Sequence, residues 1–244
     1  MQRRTAIVTG ASTGIGLAVS SELCRQGFAV TMAARKPERL DAAAAALRAD
    51  GHDVTPIAID VTDPDSSEQL VESAIGDGGR LDVVVANAGW GRQGTVATSR
   101  HREFDRMMAV NVGAPFALAA AAIPHMRRDI AATPPAWFIV TASISGVWPT
   151  AGLAGYSAAK AAALSLARSI ADDEASNGVR ACAICPAFVD TDMTTWVNER
   201  LPGDEMLGAA DVAESVRFLL RLSPYASVTE LVLRRAGAPS PDAP

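Results

Sequence analysis

The chain has 244 residues, 49% hydrophobic and 20% charged, with a net charge of −5 and a pI near 5.2. This is ordinary globular usage, sufficient for the core of one large α/β domain. An acidic protein has no general attraction for phosphate backbones or anionic lipid, so neither nucleic acid nor membrane is an expected partner.

The N-terminus, Met1-Gln2-Arg3-Arg4-Thr5, leads directly into Ala6-Ile7-Val8. No apolar segment of about 7–15 residues follows the arginine pair, as an export signal would need. No run of about 20 apolar residues marks a membrane span. A cytoplasmic protein is expected. Cys24, Cys182 and Cys185 are too few to staple a chain of this size. Cys182 and Cys185 form a C-x-x-C, which elsewhere would suggest redox or zinc chemistry. Here they lie in a strand-like run, where residues three apart point to opposite faces, so buried structural thiols are expected. His52, His101 and His125 stand far apart without clustered carboxylates or cysteines, so no metal site is indicated.

In chain order, apolar strand-like runs alternate with helical patterns. A strand over 5–9 leads into Thr9-Gly10-Ala11-Ser12-Thr13-Gly14-Ile15-Gly16 and a helix over 14–25. A pyrophosphate at such a junction needs backbone N–H groups aimed at it, no Cβ in the way, and the positive end of a helix dipole. The glycines at this turn meet that need. A strand over 29–33 ends at Ala34-Arg35-Lys36, followed by a helix over 38–49 whose alanine run suits helix propensity. A strand over 54–59 precedes Asp60-Val61 and a helix over 66–75. A strand over 82–86 precedes Asn87-Ala88-Gly89. Helices over 102–108 and 116–127 flank Asn111-Val112-Gly113. A strand over 137–142 ends at Ser143, and Tyr156-Ser157-Ala158-Ala159-Lys160 opens a helix over 156–176. The last elements are a strand over 179–185, a helix over 210–220 and a strand over 230–233. The strands are continuous apolar runs, as expected when helices cover both faces of a parallel sheet. The fold class is therefore α/β, a doubly wound parallel sheet of about seven strands with right-handed crossovers. Residues 1–236 form one domain, and 237–244, rich in Pro, Ala and Ser, read as a frayed tail.

The spacing T-G-x-x-x-G-x-G, the Asn-Ala-Gly after the fourth strand, Asn111, Ser143 and the Tyr-x-x-x-Lys together resemble the short-chain dehydrogenase/reductase family. The resemblance covers nearly the whole chain. It implies an oxidoreductase that interconverts a ketone or aldehyde and an alcohol. Gly10, Ser12, Thr13, Gly14, Ile15 and Gly16 would hold the dinucleotide phosphates, with Asp60 and Val61 beside the adenine and Asn87, Ala88 and Gly89 as the family's further cofactor-binding motif. Enzymes preferring NAD usually place a carboxylate after the second strand, to accept from the ribose 2′-hydroxyl. Here Ala34 occupies that position and Arg35 follows, whose planar fork suits a 2′-phosphate, so NADP(H) is the expected cofactor.

Hydride transfer to a ketone leaves an alkoxide that must be protonated. Free tyrosine, with a pKa of about 10, gives up its proton reluctantly. Lys160 lies one helical turn beyond Tyr156 on the same face. Its ammonium, with the positive nicotinamide ring, would stabilise tyrosinate and bring that pKa toward working pH. The resemblance adds Ser143 as the group positioning the carbonyl oxygen, Lys160 as a ligand of the nicotinamide ribose, and Asn111 behind a water-linked proton path. It also implies contacts to the nicotinamide from Pro186, Val189 and Thr191. Ala187 replaces the family's glycine in that loop, and would strain it if the position required a positive φ.

Three of the four tryptophans, Trp90, Trp148 and Trp196, map to loops at the carboxyl edge of the sheet, with Met193 beside the last. They predict a pocket for a hydrophobic or aromatic ketone, and Trp137 is expected at the opposite end. The segment 227–233 lacks the family's glycine-rich ending and is closer to broad-range carbonyl and 3-hydroxy acid members. A 3-oxoacyl-thioester reductase is the alternative enzyme; a non-catalytic NADP(H)-sensing binding protein is the alternative of another class. Small residues over 116–123 and 158–167 permit close helix approach, and the resemblance then implies a homodimer or homotetramer.

Overall fold

A computed structural model of the protein describes residues 4–76, 80–129, 135–197 and 201–238. The expected tail lies outside the described residues from 239 onward. The elements are β1 (Arg4–Thr9), α1 (Gly14–Arg25), β2 (Phe28–Ala34), α2 (Pro37–Ala49), β3 (Val54–Ala58), α3 (Ser66–Ile75), β4 (Val83–Ala86), α4 (His101–Met108), α5 (Ala114–Met126), β5 (Ala136–Thr141), α6 (Ile144–Val147), α7 (Ala154–Asp173), β6 (Val179–Pro186), α8 (Ala209–Leu220) and β7 (Glu230–Leu233).

The seven strands form one sheet in the order β3-β2-β1-β4-β5-β6-β7, and every pairing is parallel. The chain winds outward from β1 in one direction, then returns to place β4 on its other side. That reversal opens a crevice beyond the carboxyl ends of β1 and β4, the place where open α/β sheets bind ligands.

Alternate residues of each central strand feed two cores. Along β5, Trp137 and Ile139 join Leu23, Met32 and Val216 on one face. Phe138 and Val140 join Leu70, Leu118 and Ala163 on the other. Both faces of the central strands are covered, which is why those strands are mainly apolar; each fully buried large side chain contributes ~1.5–3 kcal/mol. Cys182 belongs to the first core and Cys185 to the second, so the two thiols of the C-x-x-C lie on opposite sides of the sheet.

The structure departs from the expected elements around Asn111. The helices expected over 102–108 and 116–127 are joined by a π turn, Ala109–Gly113, in which the Ala114 amide donates to the Ala109 carbonyl five residues back. Pro115 has no amide hydrogen to return to the Asn111 carbonyl, and the backbone widens just before it. The resulting helix, His101–Met126, is long and apolar enough to cross a membrane by length and composition. Its Leu118, Ala119, Ala122 and Met126 are instead packed into the second core. Helix α7 begins two residues before Tyr156, which therefore stands inside the first turn rather than at the helix start.

Candidate active site

At the end of β1 the chain turns through Gly10 and Gly14, both at positive φ (65° and 54°), a conformation that costs glycine least. Gly16 is closer packed still: a Cβ there would stand 2.2 Å from the Gly10 carbonyl oxygen. The loop is pinned from both sides. The Ala11 amide donates to Ala33 O at 3.0 Å. The Thr9 hydroxyl accepts from the amides of Asn87 and Ala88 at 3.0 and 2.9 Å, and Asn87 Nδ2 returns a bond to Thr9 O at 3.0 Å. Helix α1 starts here with no side-chain cap at Thr13 and no acid in its first turn. A bare backbone cradle at an uncapped helix N-terminus fits a dinucleotide pyrophosphate.

Along the sheet edge, Ala34 is buried at the end of β2 and Arg35 is exposed after it. The Asp60 carboxylate accepts from the Thr62 amide and hydroxyl at 3.0 and 2.8 Å. The Thr62 amide, opposed by partial burial and helped by the Thr62 hydroxyl and the charges of Arg35 and Arg106, holds Asp60 below the usual carboxylate range. Arg35 and Asp60 thus share one corner of the crevice.

Ser143, Tyr156, Lys160 and Asn111 are brought together on the other side of the cradle. Ser143 caps α6 and accepts from the Ser145 amide at 3.1 Å. Burial raises Tyr156 above its ordinary value, opposed by a hydrogen bond with Ser143. In the protein by itself, burial thus favours the protonated phenol. The Lys160 nitrogen sits 5.7 Å from the Tyr156 ring centroid and donates to the Thr141 carbonyl at 2.7 Å. Burial lowers the lysine to about 8, so it still carries a proton at neutral pH. Asn111, in the π turn, donates to the carbonyls of Trp90 and Met107 at 2.7 and 2.8 Å. Above Gly89, Asn111 Oδ1 and Lys160 Nζ border the same space, 3.2 and 3.5 Å from where a Cβ would sit.

Ser143 and Tyr156 line a cavity of about 430 Å³, walled by Phe188, Met193, Thr194 and Trp196. The Trp196 ring stands edge-on to Phe188, with centroids 5.8 Å apart. Trp90 and Trp148, expected here, are not among its walls. Trp90 lies beneath the Arg106 guanidinium, 4.8 Å from the ring centroid, and Trp148 ends α6 partly in solvent. Trp137 is buried near the start of β5, at the opposite end, as expected. Sequence reading missed Phe188, though it lies between Pro186 and Val189, and Gly91, which lets the backbone lie against the Tyr156 ring.

Pro186 ends β6, and the following loop reaches back to the cradle: the Thr191 methyl is 2.9 Å from where a Gly14 Cβ would be. Ala187 also lines the cavity. No residue other than glycine has a positive φ among the described residues, so alanine fits this loop without backbone strain.

The short chain dehydrogenase family model matches residues 4–202. The chain is 39% identical over 220 residues to 1-deoxy-11-beta-hydroxypentalenate dehydrogenase of Streptomyces exfoliatus, covering 87% of this chain and 78% of that enzyme. It is 33% identical over 230 residues to 2-(R)-hydroxypropyl-CoM dehydrogenase of Xanthobacter autotrophicus, covering 88% and 90%. Its fold is similar to that of an alcohol dehydrogenase from the archaeon Thermococcus sibiricus complexed with 5-hydroxy-NADP, with a TM-score of 0.83, 30% identity and coverage of 96% and 97%. With the matched segment spanning the glycine cradle, Ser143, Tyr156 and Lys160, the chain belongs to the short chain dehydrogenase family.

Proposed function

We propose that this protein is an NADP(H)-dependent oxidoreductase interconverting a hydrophobic ketone or aldehyde and its alcohol, with Tyr156 as general acid/base. The observation that carries this reading is the placement of Ser143 and Tyr156 in the wall of a cavity whose lining combines Phe188, Met193 and Trp196 with polar Arg92, Gln93 and Thr150. The cofactor, when bound, supplies or accepts the hydride. Arg35, without a carboxylate at Ala34, accommodates the 2′-phosphate, in keeping with the NADP complexes of the similar structures. Ser143 holds the carbonyl oxygen next to the phenol. Tyr156, protonated at neutral pH, is in the acid form that ketone reduction needs. Lys160, fixed by the Thr141 carbonyl, keeps a positive charge beside it and retains donors for the cofactor ribose. Asn111, donating to the Trp90 carbonyl and accepting from its amide, supports a water-linked proton path behind Lys160.

The edge-on pair Phe188 and Trp196 selects bulky apolar substrates. NADPH consumption measured against a panel of carbonyls of increasing size tests both points. Trp196→Ala is expected to raise KM for bulky ketones roughly three- to tenfold, the scale of an aromatic contact, with small ketones little affected. An unchanged KM across the panel would assign the ring to loop packing. NADPH binding without consumption of any carbonyl would favour a sensing protein.

The reading includes one domain, residues 1–236, acting in the cytoplasm as a homodimer or homotetramer. Helices α5 and α7 leave Phe116, Ala117, Ala120 and Ala161 exposed, small or flat surfaces that let two copies approach closely. Light scattering at micromolar concentration is expected to give a multiple of the 25.3 kDa chain mass; a monomer would rule the assembly out.

A further inference from the structure

Arg39, in the first turn of α2, donates from Nη1 to Asp192 Oδ2 at 2.9 Å, joining residues 153 apart in sequence. The two belong to opposite sides of the cofactor crevice. Helix α2 begins immediately after Arg35 and Lys36. Asp192 follows Thr191, on the loop whose Met193, Thr194 and Trp196 wall the substrate cavity. The loop is braced internally by Thr194, which donates to Val189 O at 2.6 Å and accepts from the Thr191 amide at 3.2 Å. A force on Asp192 is therefore passed to Thr191 and Thr194.

We propose that Arg39 and Asp192 form a clasp that holds the Thr191–Trp196 loop down over the bound dinucleotide and sets its rate of release. The proposal rests on the NADP(H) reading of the cradle. Both members are positioning residues acting through the loop. Their side chains are 55% and 74% exposed, so the clasp is weak: an exposed pair shifts an equilibrium about two- to fivefold. That suits a contact that must open once per turnover, since a buried pair at this place would hold the product back.

The direction of the effect separates the clasp from simple electrostatics. An aspartate beside a polyanionic ligand repels it, so charge alone predicts that Asp192→Asn binds NADPH more tightly and releases it more slowly. The clasp predicts the reverse. NADPH release from the intact enzyme, followed by stopped-flow fluorescence after displacement with excess NADP, is expected to be two- to fivefold faster in Asp192→Asn. Asp192→Glu is expected to restore it toward the wild-type rate. Rising salt should speed release from the wild type more than from Asp192→Asn, because it screens the pair. Unchanged or slower release in Asp192→Asn, with normal NADPH binding by the wild type, overturns the clasp alone. A wild-type protein that gives no NADPH binding signal overturns both the clasp and the cofactor reading beneath it.

Discussion

Phenylalanine at position 156 is expected to lower kcat for ketone reduction by roughly 10²–10⁴, the contribution of a positioned general acid. The substitution removes one oxygen and little else. The Tyr156 ring packs against the backbone at Gly91, where a Cβ would come within 2.9 Å of the ring, and that contact is kept in phenylalanine. The thermal midpoint and the KM for NADPH should therefore change little, while the bond to Ser143 and the transferable proton are both lost. Because phenylalanine carries no proton to transfer, no pH near neutrality restores the rate. Steady-state kinetics alongside a thermal melt check this, and turnover close to wild type would remove tyrosine from the mechanism.

The second large effect is expected at Gly16. An added Cβ would sit 2.2 Å from the Gly10 oxygen, 2.7 Å from the Gly10 carbonyl carbon and 2.7 Å from Asn87 Nδ2. Two of these are backbone atoms of the phosphate cradle and cannot swing away. Gly16→Ala must displace the loop, so NADPH affinity should fall at least about tenfold, with a stability loss of ~1–3 kcal/mol from overpacking. Gly27→Ala is the control. Its φ of +81° also disfavours a side chain, but nothing lies within 4 Å of the added carbon. That variant should lose stability and keep its NADPH affinity. Equal affinity in Gly16→Ala and wild type, by fluorescence titration, would show that the cradle does not hold the cofactor.

The strands were legible because both faces of the central sheet are buried, which leaves β1, β2, β5 and β6 as mainly apolar runs with only scattered threonines and arginines. The glycine turn, Asn111, Ser143, Tyr156 and Lys160 were legible as motifs, and the fold brings their positions to one edge. What sequence could not give was direction. Trp90, Trp148 and Trp196 all lie on loops at that edge, yet only Trp196 turns into the cavity, because a loop position does not fix a side-chain vector. Asn111-Val112-Gly113 were expected between two helices; the π turn Ala109–Gly113 spans them and keeps the axis continuous into α5. The burial that raises Tyr156 was equally hidden, since it depends on packing rather than on any local spacing. The long-range pair between Arg39 and Asp192 carries no local pattern at all.

The separation of Cys182 and Cys185 across the sheet has a consequence for oxidative damage. With the backbone of β6 between them, no rotamer can join the two sulfurs, and burial pushes both thiols up to about 12. The thiolate that would attack peroxide is therefore scarce at neutral pH, and both sulfurs are buried. The vulnerable sulfur near the substrate is a thioether: Met193, 46% exposed on the cavity wall. Conversion to the sulfoxide would add a polar group to the cavity wall that Met193 shares with Phe188 and Trp196, without altering Tyr156 or Lys160. Loss of activity in an ageing preparation should then answer to methionine sulfoxide reductase, and not to added thiol.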